Sequence, residues 1–186
     1  MQVSHDAELH FLQLGVQYYA AARSAVLGGL LPVCGNLFHH AIEAFLKARL
    51  SQKLPLRQVR KLGGRTGHEL LPLWDAFRAE FQGAGLEHFN GTIADLERFE
   101  RLRYPDAVIE EGAVMLAGTF IGAPETDSPP RYQIDPPVID RLVARIFELC
   151  SRNPVFFTSG MNSYARDAIT RNNPVGERFV PKEQPA

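Results

Sequence analysis

This chain predicts a mainly α fold: an up-and-down bundle of four to five helices with a small C-terminal β-hairpin and helix extension. Three observations predict it. Apolar residues recur at three- and four-residue steps over most of the first hundred positions. Glycine and proline fall mostly between those stretches. Beyond Pro105 the pattern changes to a short run of β-formers and then further helix.

Residues 6–31 read as the first helix, with Leu9, Leu12, Val16, Tyr19, Val26 and Leu30 near one face and Asp6 as its cap. Arg23 falls on that apolar face, so it either meets a buried carboxylate or reaches out to water. Pro32 ends the helix and the chain turns through Cys34-Gly35. The second helix runs from about Asn36 to Ser51. Asn36, His39, His40, Glu43 and Lys47 share one arc of it and form a polar stripe, expected to be exposed or to face a dimer partner. Leu37, Phe38, Ala41, Ile42, Ala44, Phe45 and Ala48 fill the wide arc opposite, and an apolar arc that broad is pressed between neighbouring helices. A basic linker covers 52–66, with room for a short helix at 56–62 and interruptions at Gly63, Gly64 and Gly67. The third helix spans 68–81, with Leu70, Leu73, Trp74 and Phe77 inward. The fourth spans 86–103, and Pro105 takes the chain out of it near Tyr104.

Residues 113–122 read as a hairpin or extended piece around Ala117-Gly118, and 131–134 can pair with it. Asp135-Pro136-Pro137 opens the fifth helix, 136–151, with Asp135 as cap. A short sixth helix is expected at 159–171. The organisation is thus a bundle over 1–110, an extension over 111–171 packed on it, and a flexible tail over 172–186, which has three prolines and few apolar residues.

Composition narrows the function classes. The chain has 186 residues, 45% hydrophobic and 22% charged, as in an ordinary globular protein. Cys34 and Cys150 lie far apart, which gives neither a zinc pattern nor a disulfide framework; both read as core residues, and a cytoplasmic setting is expected. The first residues lack a secretory signal, and no apolar run is long enough to span a bilayer, so no membrane partner is expected. The net charge of −1 hides an asymmetry. No acidic residue lies between Glu43 and Glu69, whereas Lys47, Arg49, Lys53, Arg57, Arg60, Lys61 and Arg65 do. Such a patch attracts phosphate.

Three phrases stand in order: "NLFHHAIEAFLKARL" at 36–50, "GHELLPLW" at 67–74 and "RFERLRYPDA" at 98–107. Together they resemble the HEPN family of small α-helical nucleotide- and RNA-associated domains. The second helix of that family has an alanine-rich core, matched by Ala41, Glu43, Leu46, Lys47, Ala48 and Leu50. His68, Leu70 and Leu73 match the opening of its third helix, and Arg103-Tyr104-Pro105 matches the phrase after its fourth. The resemblance covers residues 6–106 and implies a helical bundle that pairs as a homodimer. Members that cleave RNA carry an Arg-x4–6-His pair. None of His5, His10, His39, His40, His68 and His88 has an arginine at that spacing before it, and Arg103 is followed there by Val108, Ile109 and Glu110. What the resemblance leaves is binding.

The expected function is therefore non-catalytic binding of a nucleotide or nucleic-acid phosphate. Lys47, Lys53, Arg57, Arg60, Lys61 and Arg65 supply charge, His68 stands beside Arg65, and Arg103 and Tyr104 line the cleft. His39 and Glu43 are spaced to share a metal, but no second carboxylate–histidine helix accompanies them, so no metal and no cofactor is expected. Two other classes stay open: a protein-interaction scaffold, and a metal-independent ribonuclease with non-standard residues that draws its cation from Arg103.

Overall fold

In a computed structural model the protein is mainly helical, and the structure describes residues 2–104, 106–118 and 131–181. The helices are α1 (Gln2–Leu27), α2 (Val33–Ser51), α3 (Leu56–Leu62), α4 (Leu70–Glu80), α5 (Asn90–Phe99), α6 (Asp106–Glu111), α7 (Pro136–Leu149), α8 (Pro154–Thr158) and α9 (Ser163–Thr170). Single 3₁₀ turns at Leu86–Phe89 and Glu100–Arg103 extend α5 at both ends, so the expected fourth helix is one rod with tightened termini. Strands β1 (Val114–Ala117) and β2 (Arg131–Ile134) form a two-stranded sheet.

The bundle is built around α2. It packs against α1, α3, α4, α5 and α7, and both its arcs are buried. Phe38, Ala41, Ile42, Phe45, Leu46 and Ala48 are fully enclosed. Gly15 lets α1 lie close: a Cβ there would stand 2.5 Å from the Phe45 ring. The broad apolar arc of α2 is thus largely filled by intrachain packing. Its polar arc is not the exposed stripe expected from sequence. His39 is fully buried, and Glu43 and Lys47 nearly so. Periodicity could not tell a solvated arc from one facing a polar interior, because both carry the same residue types.

Several expectations change in detail. Asp6 lies inside α1, which begins four residues earlier. β1 and β2 run parallel, in register Val114↔Arg131, so they are not a hairpin. A tight turn at Ala117-Gly118 would make them antiparallel; the connection instead continues to 130, long enough for parallel strands. Residues 119–122 of the expected extended piece lie outside the described residues. Asp106 opens α6, a short helix not expected from sequence. The expected sixth helix is α9, and an unexpected short helix, α8, precedes it; Asn153 and Asn162 each accept from a backbone N–H, at 3.0 and 2.9 Å, and start the two.

The C-terminal segment is not a free tail over 172–181. Phe179 is fully buried, its ring packs against Tyr19 and Phe147, and its carbonyl accepts from the Thr158 hydroxyl. Three prolines disguised one large aromatic anchor; residues 182–186 lie outside the described residues. The bundle and the extension share one apolar cluster, in which Ile139, Leu142 and Ile146 of α7 join Phe38 and Phe45 of α2.

Buried ion pairs lock the ends of the chain to the middle. Arg23 meets Asp140 at 3.1 Å, with their side chains 2% and 0% exposed, and also donates to the carbonyls of Ala168 and Arg171. The Tyr19 hydroxyl donates to the same carboxylate at 2.6 Å. Burial pushes Asp140 up to about 6, opposed by Tyr19 and Arg23, so at neutral pH it is still the anion that Arg23 requires. Asp140→Ala should therefore cost about 3–5 kcal/mol, because it leaves a buried guanidinium without its counter-charge. Urea unfolding at neutral pH measures this, and a loss below about 1 kcal/mol would contradict the latch.

Candidate functional site

Glu43 is the hub of the site. Its turn of α2 places His39, His40 and Lys47 along the same face. Opposite that face runs the loop from Arg65 to Glu69, which enters α4. Gly67 takes a left-handed φ of 84° there, a conformation that strains any residue with a Cβ, and its carbonyl accepts from Lys47 Nζ at 2.6 Å.

Three cationic or N–H groups meet the Glu43 carboxylate. Lys47 Nζ lies 2.5 Å and His68 Nδ1 3.0 Å from Oε1, and His40 Nδ1 lies 3.2 Å from Oε2. Burial alone would raise this carboxyl. The hydrogen bonds from His40 and Lys47, with the charges of Lys47 and His68, outweigh burial and hold it at about 2. Because the carboxylate only accepts, both imidazoles present Nδ1–H to it. Their Nε2 atoms have no partner among the described residues.

His39 is arranged differently. Its Nδ1 lies 3.1 Å from the Leu96 carbonyl and its Nε2 3.0 Å from the His68 carbonyl. A neutral ring can donate to only one of them; the imidazolium donates to both. Two carboxylate oxygens lie near its Nε2: Glu43 Oε2 at 4.0 Å and Glu100 Oε2 at 3.9 Å, the latter buried and otherwise without a hydrogen bond. His39 thereby ties α2 to α5 and to the loop before α4.

His39, His40 and Glu43 bring ligand atoms within 4.8 Å of one another, close enough for a metal ion. The wiring opposes one. Both His39 nitrogens face carbonyls, and the Lys47 ammonium already occupies a cation's place on Glu43. Cys34 and Cys150 are buried, and burial pushes their thiols up to about 11 and about 12, which removes them as nucleophiles.

A cleft of about 380 Å³ opens beside this cluster. Lys47, Arg60, Thr66 and His68 supply its polar wall, and Phe11, Leu56 and Val59 its apolar wall. The candidate residues divide against it. Arg57, Arg60, Lys61 and Arg65 are exposed, and none has a carboxylate partner among the described residues. Lys53 is drawn off to Glu80 at 2.6 Å. Lys47 is neutralised by Glu43 and adds little net charge. Arg103 pairs with Glu100 at 3.2 Å, and neither it nor the exposed Tyr104 lines this cleft. Asn36 is half-buried and stands outside the Glu43 cluster. Sequence reasoning missed Glu100, Thr66 and the apolar wall. Glu100 sits among alternating charges that read as surface pairs, and nothing in that pattern marks one as facing inward.

Because Glu43 sits at about 2 when folded, below its ordinary value of 4.5, it stabilises the fold above pH 4.5. That contribution is lost as pH falls toward 2 and is on the order of 2–3 kcal/mol. Urea unfolding at neutral and acid pH should show Glu43→Gln less stable than the parent at neutral pH, with the gap closing in acid. A gap of constant size would contradict the assignment. Comparison with family profiles, with curated proteins and with solved structures finds no match for this chain.

Proposed function

We propose that this protein is a HEPN-like helical bundle that binds the phosphate of a nucleotide or nucleic acid at the cleft between α3, α2 and the loop before α4. The observation that carries the reading is a set of cations at this edge with no carboxylate partner among the described residues. Arg57, Arg60, Lys61 and Arg65 lie within one short helix and its following turn, and Arg60 lines the cleft itself. Cations left without carboxylates beside a pocket with apolar and polar walls suit an anionic, partly apolar ligand. A homodimer belongs to the same reading, and Leu27, Leu30 and Val33, exposed together where α1 turns into α2, offer it a surface.

Single-stranded RNA should bind with a log–log salt slope of up to about −3, the value for four neutralised phosphates. Replacing Arg57, Arg60, Lys61 and Arg65 by glutamine should flatten that slope and weaken binding at least tenfold at low salt. Fluorescence anisotropy over a salt series reads both. Absent or salt-insensitive binding of RNA and of mononucleotides would sink the reading and leave a protein-interaction scaffold.

One observation favours a second reading, ribonuclease activity with non-standard residues. His40 and His68 are both anchored on Glu43, their Nε2 atoms have no partner among the described residues, and Arg60 shares the cleft that His68 lines. Two imidazoles can serve as base and acid, and a cation can support the phosphorane. Metal-free cleavage of RNA by highly purified protein, lost in both His40→Ala and His68→Ala, would establish it. Cleavage that survives both variants would rule it out.

A further inference from the structure

We propose that anion capture at this cleft is proton-linked: a phosphate seats against His68 as that imidazole takes up a proton, with Glu43 behind it as the fixed counter-charge. This rests on the phosphate-binding reading above and concerns the regulation of the same site.

The geometry supplies the coupling. His68 Nδ1 is 3.0 Å from Glu43 Oε1, an acceptor only, so Nδ1 carries a hydrogen in either protonation state. In the neutral ring, Nε2 is then a lone pair. The His68 side chain is 43% exposed and lines the cleft, so that lone pair is available to a ligand. Phosphodiester oxygens are acceptors, and two acceptors repel. Adding a proton at Nε2 turns the ring into a two-ended donor that bridges Glu43 and the phosphate.

The surrounding charges set the sign. From α2, His68 faces Glu43, whose Oε1 it shares with Lys47, and the His40 ring, whose centroid is 6.2 Å away. Arg60 faces the same cleft from α3, and Arg65 and Glu69 flank His68 in the loop. Glu97 of α5 is held by the Leu70 backbone N–H at 2.5 Å. An incoming phosphate adds negative charge beside Nε2 and favours the protonated ring, so ligand and proton each raise the affinity for the other. His40 makes the same Nδ1 contact but is only 19% exposed and does not line the cleft, which leaves the linkage to His68.

The test uses the full chain and a short 2′-O-methyl oligouridine, whose diesters do not titrate near neutrality and whose blocked 2′ oxygen prevents cleavage. From about pH 6 to about pH 8, on either side of the ordinary imidazole range, its affinity should fall about fivefold to tenfold. Calorimetry near neutral pH in buffers of different ionisation heat should report net uptake of about half a proton, the amount that a linkage of this size produces. His68→Gln keeps an N–H donor but cannot titrate, so it should bind with little pH dependence and no uptake. Wild-type binding without proton uptake overturns the inference and leaves phosphate binding standing. Uptake that persists undiminished in His68→Gln overturns the assignment to His68. No binding of the strand at either pH removes both this inference and the reading beneath it.

Discussion

The enclosure of α2 governs this structure. Packed against α1 on one side and α3, α4, α5 and α7 on others, the helix has no wide solvent face. Its polar residues are therefore carried inside and must be partnered there, since a buried charge without a partner costs several kcal/mol. The arrangement around Glu43 follows from that requirement. Lys47, His40 and His68 each contribute a donor to one carboxylate, and His39 takes two carbonyls.

The same constraint organises the ends of the chain. Arg23 on α1 is as deeply buried as the core aromatics and can remain so only because α7 brings Asp140 and the α9 region brings two carbonyls. Glu8 near the start of α1 is held by Arg152 through two bonds of 2.7 and 2.6 Å. These contacts span more than a hundred positions and pull the C-terminal third onto the bundle. Phe179 then fills the remaining gap beside Tyr19 and Phe147. Each lock pairs a directional polar contact with an apolar one, so it fixes position as well as adding stability.

Charge placement separates structural from binding cations. Those on α2 and α5 already have carboxylates: Lys47 has Glu43, and Arg103 has Glu100. Those on α3 and the turn after it do not. A basic stretch that looks uniform along the chain thus resolves into three spent cations, Lys47, Arg49 and Lys53, and four available ones. The cleft lies where the available ones meet the histidine-bearing wall, and that junction suits an anion better than a metal ion.

Much of the fold was legible in advance. Helical periodicity marked α1, α2, α4, α5 and α7, and Asp135-Pro136 marked where α7 starts, because these signals are local and rest on backbone hydrogen bonding and side-chain spacing within one turn or two. The short helix at 56–62 was legible from Pro55 before it and Gly63-Gly64 after it. The pairing of Arg23 with a carboxylate was foreseeable as a need, but its partner was not. The candidate site was half legible: His39, His40, Glu43 and Lys47 were visible as one arc, and Arg57 to Arg65 as a basic run. Only tertiary structure decided that the arc faces inward, that His68 and Glu100 join it, that Lys53 and Arg103 are drawn away, and that β1 and β2 run parallel. The physical reason is common to all four. Burial, ion pairing and strand direction depend on which distant segment arrives opposite, and helical spacing carries no information about that.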